Sequence, residues 1–160
     1  MTLEELVKKK ASKSLYYFSG NLSFLSLAYK GRKSVVDFIE EQLEAGVYVK
    51  VLCRVNISSL ANIEKMSHLL VKYPNQVEVR HRYQPLRGFI IDDDFARFKT
   101  WENKDDYKLG ELHKSTRVYY EVYSPEWIAW LQNVFWSMWR SSISYEKRIK
   151  EVQRIVASTG

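Results

Sequence analysis

The stretch VEVRHRYQPLRGFIIDDDFARFKTW, from Val77 to Trp101, decides how the rest of the chain is read. Val77, Val79, His81 and Tyr83 alternate with Glu78, Arg80 and Arg82, which predicts a strand with one apolar and one charged face. Pro85-Leu86-Arg87-Gly88 then reads as a turn and Phe89 to Ile91 as a short apolar strand. Asp92-Asp93-Asp94 is an acidic turn, and Phe95 to Trp101 continues the hairpin.

The sequence before this stretch alternates helix and strand. Val35, Val36, Ile39 and Leu43 recur at helical spacing between Gly31 and Gly46, and Glu40, Glu41 and Glu44 occupy the other side. VYVKVLC, Val47 to Cys53, follows at once as a strand. A second helix, capped by Ser58 or Ser59, runs to about Lys72 and ends at Tyr73-Pro74-Asn75, because proline cannot continue it. Leu15 to Phe18 is an aromatic strand. Leu22 to Tyr29 is ambiguous between helix and strand, and Leu3 to about Lys13 is a short helix.

After the central stretch, Asn103 to Gly110 is a polar loop and Arg117 to Tyr123 the last strand by composition. Ser124 and Pro125 open a helix carrying Trp127, Ile128, Trp130, Leu131, Val134, Phe135, Met138 and Trp139. Apolar on more than one side, it is expected to be buried on two faces. A basic amphipathic helix closes the chain between 143 and 160. The tally of strands alternating with helices makes the chain α/β, a mixed sheet flanked by helices.

The 160 residues are expected to form a single domain, with 1–13 as a linker helix. A formal charge of +6 favours anionic partners in general. The one cysteine, Cys53, excludes an internal disulfide and a cysteine-based zinc site, and is read as a small core residue. No signal-peptide pattern and no window long and apolar enough to span a bilayer occurs, so a cytoplasmic location is expected. His68, His81 and His113 lack metal-ligand spacing, and the aspartate run lacks the spaced loop that calcium needs, so no metal and no cofactor is expected.

Taken in order, helix, glycine, the VYVKVLC strand, helix, VEVR, LRGFIIDDD and a late strand before a Phe-Trp-x-x-Trp helix resemble one unit of the phospholipase D superfamily. Within it they are similar to the degenerate domains behind winged helices in archaeal transcription regulators of the TrmB kind. The resemblance covers roughly residues 13 to 142. It implies a phospholipase D-like sheet. In active members the hairpin carries His-x-Lys-x-x-x-x-Asp, where the histidine is the nucleophile and the lysine neutralises phosphate. That register places Leu86 at the histidine, Gly88 at the lysine and Asp93 at the aspartate. Leucine supplies no nucleophile and glycine no clamp, so the chain is not expected to be an enzyme.

Arg80, His81, Arg82 and Arg87, with Asp93, are the candidate anion-binding or ligand-binding residues, beside the phosphate site that the resemblance implies. Trp127, Trp130, Phe135 and Trp139 are candidates for a homodimer interface, with core packing or a stacking platform for bases or sugars as alternatives. The implied function is a non-catalytic regulatory or ligand-sensing domain linked to transcription, taking a small anionic or sugar ligand. The alternative is a nucleic-acid-binding protein using the basic strand and the C-terminal helix.

Overall fold

The structure, a computed structural model, describes residues 13–26 and 34–159. The helix expected over Leu3 to Lys13 and the second half of Leu22 to Tyr29 lie outside them. Seven strands build one mixed sheet: β1 (Ser14–Phe18), β2 (Tyr48–Cys53), β3 (Val77–His81), β4 (Gly88–Ile91), β5 (Phe95–Glu102), β6 (Thr116–Val122) and β7 (Ile143–Ser144), in the spatial order β6-β5-β4-β1-β2-β3-β7. β1, β2 and β3 are parallel to one another, while β4, β5 and β6 form an antiparallel meander attached to β1. β7 is antiparallel to β3.

Period-two alternation decides which residues meet which helices. Leu15, Tyr17, Val49, Val51, Cys53, Val77, Val79, Phe89, Ile91 and Phe95 face one way, into the larger core. That core is closed by α1 (Val35–Glu44), α2 (Leu60–Glu64) and α3 (Ser67–Lys72), with Tyr145 and Ile149 of α5 (Tyr145–Thr159) packed against it. Phe18, Leu52, Ile90 and Ala96 face the other way and meet Ile128, Leu131, Phe135 and Trp139 of α4 (Pro125–Arg140).

Local chemistry explains where the elements begin and end. Ser34 and Asp37 form a reciprocal capping box at the start of α1, and Gly46, at φ +87°, supplies the left-handed turn into β2. The single helix expected from Ser58 to Lys72 is two. Ser67 Oγ donates to the Glu64 carbonyl at 2.9 Å and Met66 N–H donates to Ile63, so the turn tightens and breaks there. Ser59 stands at the N-cap of α2 but makes no side-chain cap bond; a 3-10 turn, Ile57–Ser59, leads into it and is capped by Asn56, whose side chain accepts from Ser59 N–H. The long aromatic helix differs as well. α4 buries a single stripe, Ile128, Leu131, Phe135 and Trp139, and leaves Trp127 and Trp130 in solvent.

Candidate anion site

The parallel strands β1, β2 and β3 all end at the same edge of the sheet, where an open α/β sheet characteristically receives ligands. Each strand hands a polar segment to that edge. β1 runs into Ser19-Gly20, β2 into Arg54 and β3 into Arg82, while the antiparallel β4 starts there, preceded by Arg87. Main-chain hydrogen bonds stitch these ends together: Arg54 N–H to Gly20 O at 2.6 Å, Arg82 N–H to Cys53 O at 2.9 Å and Ser19 N–H to Leu52 O at 2.8 Å.

Gln84 organises the loop between β3 and β4. Its Nε2 donates to Ser19 O at 3.0 Å, and its Oε1 accepts from Leu86 N–H at 2.7 Å. The Arg87 guanidinium folds back to donate from Nη1 to the carbonyls of Gln84 and Leu86, each at 2.8 Å. It lies over Gly20, where a Cβ would stand 2.9 Å from its Nε. That space is available only because residue 20 has no side chain.

Three guanidinium groups therefore share one edge with no acidic partner among the described residues. Burial, and then the neighbouring Arg54 charge, hold the Arg87 pKa below its ordinary value. The Nε atoms of Arg54 and Arg82 are both buried and lack any hydrogen-bond acceptor. Arg82 spends one nitrogen on the hydroxyl of Ser141. Buried donors of this kind carry a desolvation cost unless an acceptor arrives. An oxyanion is the acceptor that matches them in charge and geometry.

The residues singled out from the sequence divide. Arg82 and Arg87 belong to this edge. Arg80 lies on the same face as Arg82 but two residues further back, inside β3, where its donors are taken up at the end of α4: Nε donates to Ser142 Oγ at 2.6 Å, Nη2 donates to Ser142 O at 2.8 Å, and the guanidinium lies 5.6 Å from the Trp139 ring. His81 points to the opposite face and is 6% exposed, accepting Val55 N–H on Nδ1 at 2.9 Å. Burial first and the Arg148 charge second push its pKa down, so it is a neutral core acceptor. Asp93 stands at the far end of β4, about 13 Å of strand from Arg87 at about 3.3 Å per residue. There its Oδ1 accepts from Gln132 Nε2 at 3.0 Å, and Asp92 Oδ1 accepts the N–H groups of Lys13 and Ser14.

Sequence reasoning does not find Arg54, although it follows its strand as Arg82 follows β3. Leu86 packs against the smaller core and Gly88 begins β4. A Cβ on Gly88 would collide with the Arg97 carbonyl oxygen and lie 2.8 Å from Phe98 Cα, so no side chain fits there. Of the expected interface residues, Phe135 is 0% and Trp139 8% exposed. Both are core residues, with the Lys50 ammonium 5.1 Å and the Arg80 guanidinium 5.6 Å from the Trp139 ring. Trp127 and Trp130, at 62% and 59%, remain on the surface. Burial pushes the Cys53 thiol up to about 12, so it is an unreactive core residue.

Among the described residues no group of three or more His, Cys, Asp or Glu side chains converges, and no helix is long and apolar enough to cross a membrane. No family model and no curated protein sequence matches the chain. Solved structures do. TrmBL2, an archaeal chromatin protein whose structure shows a novel mode of DNA binding, superposes with a TM-score of 0.61 at 14% identity, over 88% of this chain and 48% of its own. The chain thus spans about half of that protein's length. Nuc, a phospholipase D family member from Salmonella typhimurium, superposes with a TM-score of 0.58 at 13% identity over 89% of this chain and 88% of its own. A seven-stranded mixed sheet in this order, flanked by helices and matched across nearly nine-tenths of its length, is the phospholipase D-like fold.

Proposed function

We propose that the protein is a non-catalytic phospholipase D-like module that binds an anionic ligand at the C-terminal edge of β1, β2 and β3 and serves a regulatory, transcription-linked role in the cytoplasm. The observation that carries the reading is the pair of buried, acceptor-less Nε atoms on Arg54 and Arg82 at this end of the sheet, with Arg87 close enough to feel the Arg54 charge. Leu86 and Gly88 support the absence of phosphoryl-transfer chemistry, since one is an apolar packing residue and the other has no room for a side chain. A phosphate or phosphorylated metabolite suits three guanidinium groups better than a neutral sugar.

A ligand that binds only the folded state raises apparent stability by mass action. Thermal shift with inorganic phosphate, sugar phosphates, nucleotides and neutral sugars is expected to show stabilisation by the phosphorylated compounds, lost in Arg82→Ala. Equal response of wild type and Arg82→Ala to every anion refutes the site. Phosphodiesterase turnover that disappears in Arg87→Ala refutes the non-catalytic reading.

A second reading, direct nucleic-acid binding, rests on exposed Lys147, Lys150 and Arg154 on α5 and on the structural similarity to a DNA-binding protein. A logarithm of affinity for duplex DNA that falls steeply and linearly with the logarithm of salt concentration distinguishes it from the anion site. Copies of the module are proposed to associate, Trp127 and Trp130 being the apolar surface left over from the core.

A further inference from the structure

The two edges of the sheet are unlike. On one side β7 is two residues long and runs straight into α5. On the other, β6 presents seven residues, TRVYYEV, and among the described residues no strand lies beyond it. Natural edge strands are commonly blunted by lysine, proline, bulges or a covering helix. β6 has no lysine and no proline, and its register with β5 is unbroken from Thr116 to Val122.

The direction of its free hydrogen-bonding groups follows from one contact. Lys99 N–H donates to Arg87 O at 2.9 Å, so the backbone of Lys99 faces β4. By antiparallel alternation, Phe98 and Thr100 face β6 and meet the backbones of Tyr120 and Val118. Arg117, Tyr119 and Glu121 therefore turn their N–H and C=O groups outward. The same three residues share one face, with Arg117 and Glu121 placed symmetrically about Tyr119. All three side chains are exposed, and Arg97 of β5 holds the Glu121 carboxylate in place from within the chain.

We propose that β6 pairs antiparallel with β6 of a second copy, about a two-fold axis at Tyr119. The proposal rests on the reading that copies associate, and supplies its geometry. In this register each Arg117 faces the Glu121 of the other copy, Tyr119 faces Tyr119, and every outward backbone group on these residues meets its complement. A one-pair slip in either direction keeps the backbone bonds but loses both ion pairs. On the opposite face Val118 meets Tyr120 of the other copy, over a shallow groove lined by Phe98, Tyr120, Val122, Trp127 and Leu131. The interface is isologous, so it closes at two copies. The two anion edges end up on one continuous sheet.

The test uses the full chain in two single variants, Arg117→Glu and Glu121→Lys, with mass measured by light scattering over a dilution series. Each variant places like charges opposite one another in its own dimer, and each is expected to weaken dimerisation by at least about tenfold. Mixing the two in equal amounts restores both ion pairs. The glutamate introduced in one variant then faces the lysine introduced in the other, and the unchanged Glu121 of the first faces the unchanged Arg117 of the second. The mixture is expected to form the heterodimer that neither variant forms alone. Tyr119→Pro, which removes the outward N–H and the ring at the two-fold axis but no ladder bond to β5, is expected to be monomeric yet folded by circular dichroism. A wild-type chain monomeric at every concentration overturns the association reading itself. A dimeric wild type whose single variants stay equally dimeric, or whose mixture stays monomeric, overturns the strand-edge proposal and leaves association through another surface.

Discussion

His81 Nδ1 accepts the main-chain N–H of Val55 at 2.9 Å, tying the last residue of β3 to the segment that follows β2. A ring nitrogen that accepts cannot carry a proton, so the fold selects the neutral imidazole with its proton on Nε2. His81 has its pKa lowered from 6.5 in the fold. The unfolded chain therefore binds more protons than the folded one below about pH 6.5. The stability from neutral His81 is fully present above that pH and is lost as pH falls through the depressed value. Urea midpoints measured from pH 7.5 to 5 are expected to drop in wild type and to drop less in His81→Gln. His81→Ala leaves the Val55 N–H unpaired and is expected to cost about 1–3 kcal/mol at pH 7.5. An identical pH slope in wild type and His81→Gln counts against this role.

Gly88→Ala is expected to destabilise by about 2–3 kcal/mol or more, since its Cβ meets the Arg97 carbonyl and Phe98 Cα in the β4–β5 ladder. Gly46→Ala meets nothing and strains only its positive φ, costing about 1 kcal/mol. Denaturant unfolding of both should rank them in that order. The same crowding predicts that Gly88→Lys with Leu86→His restores no phosphodiesterase activity.

Arg54→Gln should act on stability and binding in opposite directions. Removing a charge that lowers the Arg87 pKa relieves repulsion in the empty site, and the melting temperature is expected to rise by roughly 1–3 °C, equivalent to about 0.5–1 kcal/mol. The stabilisation that wild type gains from inorganic phosphate is expected to shrink or vanish in the variant. Unaltered phosphate stabilisation in Arg54→Gln removes Arg54 from the site.

Two aromatic residues of α4 should separate sharply. Phe135 is enclosed by Tyr16, Phe18, Trp136 and Trp139 rings, and Phe135→Ala is expected to cost about 3–5 kcal/mol. Trp130 is exposed, and Trp130→Ala is expected to change monomer stability by less than about 0.5 kcal/mol. Chemical denaturation at low protein concentration isolates the monomer effect.

The alternation in Val77 to His81 and the helical spacing around Val35 are legible because both report a single buried face, and one buried face leaves an unambiguous period. α4 misleads because its apolar content exceeds what its core uses. Periodicity counts tryptophans without knowing that Trp127 and Trp130 face water. The split between α2 and α3 turns on one serine hydroxyl competing for a carbonyl, which composition does not display. The site is half legible. Adjacent positions in a strand, Arg80 and His81, look like one cluster in sequence and occupy opposite faces in the fold. Asp93 looks near Arg87 because a short strand separates them in sequence, yet that strand spans the sheet. Arg54 is invisible because its neighbours at the site come from other strands.

β1 sits at the centre of the sheet although it stands near the start of the chain. Its partners are Tyr48 to Leu52 on one side and Gly88 to Ile91 on the other. The β4–β5–β6 meander, by contrast, closes through local connections, Asp92 to Asp94 between β4 and β5 and Asn103 to Ser115 between β5 and β6. Loop-closure entropy makes local pairings the earlier ones and pairings between distant segments the slower ones. The meander can therefore form as a template, with β1 the strand that locks it to β2 and β3. Substitutions in β1 such as Leu15→Ala should slow refolding in stopped-flow traces, and the arginine edge comes into being only with that final step.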